Sequence, residues 1–323
     1  MNRKREKRKG EIWFFVVAEA LFFLFLLSLF PNYVLAIVGE GNVTVGTELL
    51  VGSAAPVVVN ITLIGGNSID LAPNSTVNVS FAAVIIDYNG EGNLDNFTAV
   101  FFDSVNSAYG SADDNNNHYT NNSCVIDTSY GNGLEANATC TFAVQYYSNN
   151  QTWSIIGVAT DQDNLQGNNS NAYTVNSLLA LGLPDSIDYG TVNGTEVSQE
   201  RIANVTNFGN MRFNLSLSGY GGIPGDGWAM NCTLGNNISI GYEKFNLTAS
   251  NNSILNLSQF EGVYLNLTSS NAIRSFNLNY RNNDAAPYID DTNSTYWRIY
   301  VPNDVGGTCA GNIVFGAVIG GES

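Results

Sequence analysis

From residue 57 onward, apolar and polar residues alternate with period two over run after run, and that pattern commits the chain to sheet. Val57, Val59, Ile61 and Leu63 share one face; Val77, Val79, Phe81, Ala83 and Ile85 share another, continued by Phe97, Ala99 and Phe101. The pattern returns at Cys140, Phe142, Val144 and Tyr146, at Phe213, Leu215 and Leu217, and at Val263, Leu265 and Leu267. Trp297, Ile299 and Val301, then Ile313, Phe315, Ala317 and Ile319, complete it. Turn-formers such as Gly65-Gly66-Asn67, Asn89-Gly90, Gly221-Gly222 and Asn303-Asp304 separate the runs. Short, evenly spaced strands with polar outer faces predict an all-β protein built of antiparallel sandwiches. No stretch beyond the N-terminal segment shows a helical period.

A chain of 323 residues has room for two such domains. The boundary is placed at 181–188, where an apolar strand ends at Leu183-Pro184, giving domains 37–183 and 184–323 in tandem. Ser68-Ile69-Asp70 followed by Asn89-Gly90 is echoed by Ser186-Ile187-Asp188 followed by Gly209-Asn210, as if both domains begin alike.

Residues 1–36 are set apart. A basic stretch holding Arg3, Lys4, Arg5, Lys7, Arg8 and Lys9 precedes an apolar run to Phe30, then Pro31 and the ending Val34-Leu35-Ala36. This is the layout of a secretory signal helix cut after Ala36. An uncleaved membrane anchor is a second reading, weakened by Glu19 in mid-run. Cleavage after Gly10 of Lys9-Gly10-Glu11, as in type IV pilin-like leaders, is a third. All three export the remainder to the cell surface or beyond, because the basic cluster stays inside; any membrane contact is through this segment alone.

The formal charge of −16 understates the acidity beyond the leader, where 37–184 contains no Lys or Arg. Nucleic acid is thereby not expected as a partner, since over that stretch phosphate would meet only negative side chains. Four cysteines fall two to each side of the boundary. In an oxidising compartment the pairing that keeps the domains independent is Cys124 with Cys140 and Cys232 with Cys309.

Asn-X-Ser/Thr occurs at Asn42, Asn60, Asn74, Asn78, Asn96, Asn121, Asn137, Asn150, Asn168, Asn193, Asn204, Asn214, Asn231, Asn237, Asn246, Asn251, Asn256, Asn266 and Asn293. Chance in so Asn-rich a chain would give roughly 7 such tripeptides. Asn60, Asn78, Asn96, Asn214, Asn256 and Asn266 fall at polar positions of alternating runs, so sugars there would coat sheet faces and hinder large partners from docking. The plainer reading makes them ordinary polar strand and turn residues.

Cys140-Thr-Phe-Ala-Val-Gln-Tyr-Tyr, then Thr152-Trp153-Ser154 and Val158-Ala159-Thr160-Asp161, resembles the closing hairpin of immunoglobulin-like sandwiches in repetitive archaeal and bacterial surface proteins, with its buried Trp and acidic exit loop. Gly190-Thr-Val, Val205-Thr-Asn-Phe-Gly-Asn and the stretch from Val301 to Phe315 resemble surface and filament sandwiches of the same broad kind. The resemblance implies an extracellular structural setting, and the sequon density suits an archaeal surface glycoprotein.

Catalysis is not expected. His118 is the only histidine, within a polar run, 113–122, that reads as a loop. No Gly-X-Ser-X-Gly, His-Glu-X-X-His or phosphate-cradling loop is present. Paired carboxylates are abundant, and abundance dilutes their meaning. Asp161, Asp163 and Asn164 offer oxygen ligands for calcium on a loop leaving a strand, with a solvated strand end as the plainer alternative. Tyr146, Tyr147, Tyr296 and Tyr300 would mark a glycan-binding face if they clustered; packing is the plainer role.

The sequence therefore points to a secreted or surface-attached structural or adhesive glycoprotein that meets other surface proteins or its own copies. A filament subunit, with 37–50 donated as a strand to a neighbour, and a carbohydrate- or ligand-binding module are the rivals.

Overall fold

The computed structural model describes residues 44–248, 253–282 and 291–319. The three leader readings and the sequons at Asn42 and Asn251 lie outside them. Among the described residues no helix is long and apolar enough to cross a membrane. The chain divides into Met1–Val51 and a compact unit, Gly52–Ser323. In the former, Val45, Leu49, Leu50 and Val51 are all exposed.

The compact unit is all-β with two hydrophobic clusters. In the first, β1 (Val57–Leu63), β3 (Thr76–Ile86), β7 (Glu135–Gln145) and β6 (Val125–Asp127) form one sheet in that order. The facing sheet runs β2 (Ser68–Ile69), β9 (Gln166–Val175), β8 (Thr152–Asp161), β4 (Leu94–Asp103), β5 (His118–Asn121). All pairings are antiparallel except the short β2–β9 ladder. The alternation places Val79, Phe81, Ala83 and Ile85 of β3 against Phe97, Ala99 and Phe101 of β4 in one buried cluster. Trp153 of β8 is fully buried among them, 4.7 Å from the Phe101 ring, and its Nε1 donates to Asn149 O at 2.8 Å.

Three sequence expectations change here. A bulge between Val58 and Asn60 breaks the period of β1, so Val58 and Ile61 face the core while Val57 and Val59 are exposed. His118 is not in a loop: it opens β5, fully buried, with Nδ1 2.8 Å from Asp113 Oδ1 and its ring stacked on Phe102. β7 and β8, read as one closing hairpin, belong to opposite sheets; the hairpin is β8–β9.

The free edge of β1 is sealed by side chains from the facing sheet. Asn169 Nδ2 donates to Val58 O and Val59 O, and Asn171 Nδ2 to Ile61 O. Tyr173 Oη accepts from Leu63 N and donates to Ile61 O. These bonds satisfy backbone groups that an edge strand otherwise offers to another chain. Gly167 permits the approach, since a Cβ there would stand 1.8 Å from Pro56 O.

The second cluster lies between two layers. One is the sheet β10 (Leu181–Gly182), β11 (Arg201–Asn207), β18 (Thr292–Ile299), β15 (Glu243–Asn246), β16 (Leu265–Asn266). The other is a bent ribbon in which β12 (Phe213–Tyr220) pairs with β20 (Asn312–Ile319), then β13 (Trp228–Gly235) with β19 (Val305–Ala310). β17 (Ala272–Leu278) flanks β12 and β14 (Ile238–Ser239) flanks β13. Gly311 sits at the bend, where a Cβ would fall 1.8 Å from Ala229 O. Phe213, Leu215, Leu217, Phe245 and Trp297 fill the interior.

Where no helix was expected, α1 (Leu257–Val263) forms, capped by a reciprocal pair of bonds between Asn256 and Gln259. The alternation read at Val263, Leu265 and Leu267 is consequently no strand face: the first two are exposed and only Leu267 is buried.

Candidate functional site

The four cysteines form two disulfides, Cys124–Cys140 and Cys232–Cys309. Cys140 lies in β7 beside the short edge strand β6, and the second bridge joins directly opposed residues of β13 and β19. Every sequon asparagine among the described residues is exposed or half-buried. The buried asparagines, Asn116, Asn207 and Asn210, all lie outside sequons. At Asn214, Asn237 and Asn256 Oδ1 accepts backbone amides, whereas at Asn121, Asn150 and Asn193 the glycan-bearing Nδ2 itself donates, to Thr141 O, Ser177 Oγ and Glu196 Oε2.

Asp161, first of the three candidate calcium ligands, is buried, and its Oδ1 accepts the amides of Asp163 and Leu165 at 2.9 and 2.7 Å. The carboxylate thus closes the β8–β9 turn, while Asp163 and Asn164 are exposed. Among the described residues no group of three or more His, Cys, Asp or Glu gathers as a metal site. The four tyrosines do not form one face. Tyr146 and Tyr147 are buried edge-to-face, with Phe208 against Tyr146, whereas Tyr300 packs at a tilt against Tyr242 in the other half.

Three arrangements escaped the sequence. The first is a seam in the second sandwich, over which the irregular stretch 183–194 runs. Two cavities of about 270 and 460 Å³ share Ile187 and Met230 as lining. Glu243 lines the first and Tyr189 the second, and Tyr189 Oη donates to Glu243 Oε1 at 2.8 Å. Burial pushes the Glu243 carboxyl up to about 7, partly opposed by the Tyr189 bond. Tyr189 is raised as well, by burial and by the neighbouring carboxylate. The chemistry available is proton uptake near neutrality coupled to packing.

The second is a row of polar groups on the outer face of the β16–β15–β18 sheet, beneath α1. Lys244 is directly opposite Asn266 on one side and Arg298 on the other. Arg298 is fully buried; its Nε donates to Tyr264 Oη, Nη1 to Ser198 O and Nη2 to Ser253 O. Tyr264 in turn donates to Glu200 Oε2 at 2.6 Å.

The third joins the two halves. Asn210 Nδ2 donates to Ser148 O and Asn176 O, while its Oδ1 accepts Leu178 N. Asn116 Nδ2 donates to Tyr147 O and Arg281 O, and the Arg281 guanidinium lies 4.5 Å above the Tyr147 ring. Sequence reasoning had no handle on these asparagines because the chain is rich in Asn throughout.

No protein-family model and no curated protein matches the chain. Among solved structures, carbohydrate-binding modules of the β-sandwich superfamily align at 13% identity over 82% of this chain and 96% of theirs, with a TM-score of 0.23. The C-terminal domain of the Streptococcus pyogenes antigen I/II-family protein AspA aligns at 10% identity over 82% and 96%, TM-score 0.24. Salmonella α-2-macroglobulin aligns at 11% identity over 75% of this chain and 16% of its own, TM-score 0.24. Overlap this low leaves ligand and role to be argued from the chain's own residues.

Proposed function

We propose that this chain is an exported, N-glycosylated structural or adhesive component of the cell envelope, with no catalytic role. The observation that carries the reading is the placing of asparagines: those in sequons stay off the core, and the three that are buried, Asn116, Asn207 and Asn210, lie outside sequons. A sugar needs an accessible amide, and a carrier of many sugars must keep each such residue out of its packing. Two disulfides in so acidic a chain accord with an oxidising exterior. For the first sandwich we adopt the immunoglobulin-like class, on the strength of its two sheet orders and the parallel β2–β9 ladder. The test is glycopeptide and intact-mass analysis of protein from its native host. Hexose on exposed sites such as Asn60, Asn204 and Asn293 is the expected result; unmodified mass with free thiols would overturn the reading.

A second reading, a filament subunit, draws on the exposed Val45, Leu49, Leu50 and Val51 and on β20, an apolar strand paired along one side only among the described residues. Electron microscopy of the native envelope separates the two, since fibres would favour this reading and a lattice or dispersed monomers the first.

A further inference from the structure

Lys244 is the only lysine after Lys9. In a solvated acidic chain a lone lysine belongs in water, yet this one is 5% exposed. It lies on β15 directly opposite Asn266 on β16, and its Nζ meets the Asn266 side chain at Oδ1. A lysine amine that hydrogen-bonds a carboxamide oxygen is already paired with the group it would attack, and a small rotation of the lysine side chain brings its nitrogen over the carbonyl carbon, as attack requires. The Phe260 ring of α1, itself fully buried, covers the lysine end of the pair, 5.4 Å from Nζ, while Asn266 is exposed.

We propose that Lys244 and Asn266 join in an intramolecular isopeptide bond. The Nζ lone pair forms a bond to Asn266 Cγ, and the Cγ–Nδ2 bond breaks. Of the two protons that the lysine ammonium gives up, one leaves on the departing nitrogen, which goes as ammonia, and the other passes to solvent. Nothing is oxidised or reduced. Burial favours the neutral amine the step requires, since it lowers the Lys244 pKa. Glu261 of α1 acts on Lys244 through its negative charge, opposing that shift, and in the proposed step this carboxylate relays the proton. The product would staple β16, an edge strand, to the sheet. Asn266 also heads a sequon, and its single side-chain nitrogen cannot both leave and carry sugar, so the cross-link excludes glycosylation at this position whatever the other sequons do.

Trypsin reads the bond directly, because it cleaves after a free lysine and not after an acylated one. The full chain is produced in a host without N-glycosylation, reduced, denatured and digested. The expected result is one peptide spanning 213–274, lighter by one ammonia than its sequence mass. Separate peptides 213–244 and 245–274 at full mass from the wild-type protein would overturn the proposal, leaving a plain hydrogen bond. Asn266→Ala should restore cleavage after Lys244. Glu261→Gln, at an exposed position, should lower the cross-linked fraction several-fold; an unchanged fraction would remove Glu261 from the step.

Discussion

Glu243 shows how one residue can tie stability to pH. Its folded pKa of about 7 stands above its ordinary value of 4.5, so the native state holds the proton more tightly than the unfolded chain does. The stability this confers is complete below about pH 4.5 and is lost as pH rises through 7, up to about 3 kcal/mol in all. Glu243→Gln stays neutral and should flatten the stability curve between pH 5 and 8, leaving the variant the more stable at pH 8. Melting curves at both pH values check this; parallel losses in the two proteins would show that the carboxyl is not the titrating group. Nothing in the local sequence Gly241-Tyr-Glu-Lys-Phe marks this residue, since Tyr189, its partner, is 54 residues away. Asp161 was legible as a strand-end acid, but only the turn geometry gave it two amides to hold. Asp161→Ala should cost about 1–3 kcal/mol by stranding those amides, and by the same amount with or without a chelator. A cost that falls when chelator is added would instead give the residue a metal to bind.

At the scale of elements, the alternation named most core faces correctly because period two is the geometry of a pleated strand. It failed where geometry departs from that period. The bulge in β1 shifted its inward residues by one, and α1 arose from a capping asparagine with Phe260 buried on one side rather than from any amphipathic run. The Cys124–Cys140 bridge spans a separation of 16 residues and ties the loop before β6 to the interior strand β7. Replacing both cysteines with serine should cost about 3 kcal/mol on the loop-entropy account. Denaturant titration of the first sandwich measures this, and a loss well under 1 kcal/mol would mean that the β6–β7 region is held by packing alone.

Across the whole molecule, the two hydrophobic clusters divide between Leu178 and Leu181, yet residues 52–323 form one compact unit. Asn210 is central to the joint, with its side chain serving three backbone groups. Asn210→Ala should destabilise by about 1–3 kcal/mol and separate one calorimetric transition into two. Asn204→Ala, at an exposed sequon, should stay within about 0.5 kcal/mol. A single undivided transition in the Asn210 variant would show that the halves are coupled elsewhere.

The sequence by itself determined the all-β class and most inward faces, because each follows from local periodicity and local polarity. Tertiary structure alone decided the bulge in β1, the edge seal by Asn169, Asn171 and Tyr173, the Glu243–Tyr189 pair and the joint at Asn210. Those depend on groups far apart in the chain meeting out of water, where an unmet hydrogen bond or a lone charge is costly, and no stretch of residues read in order records which distant group will arrive.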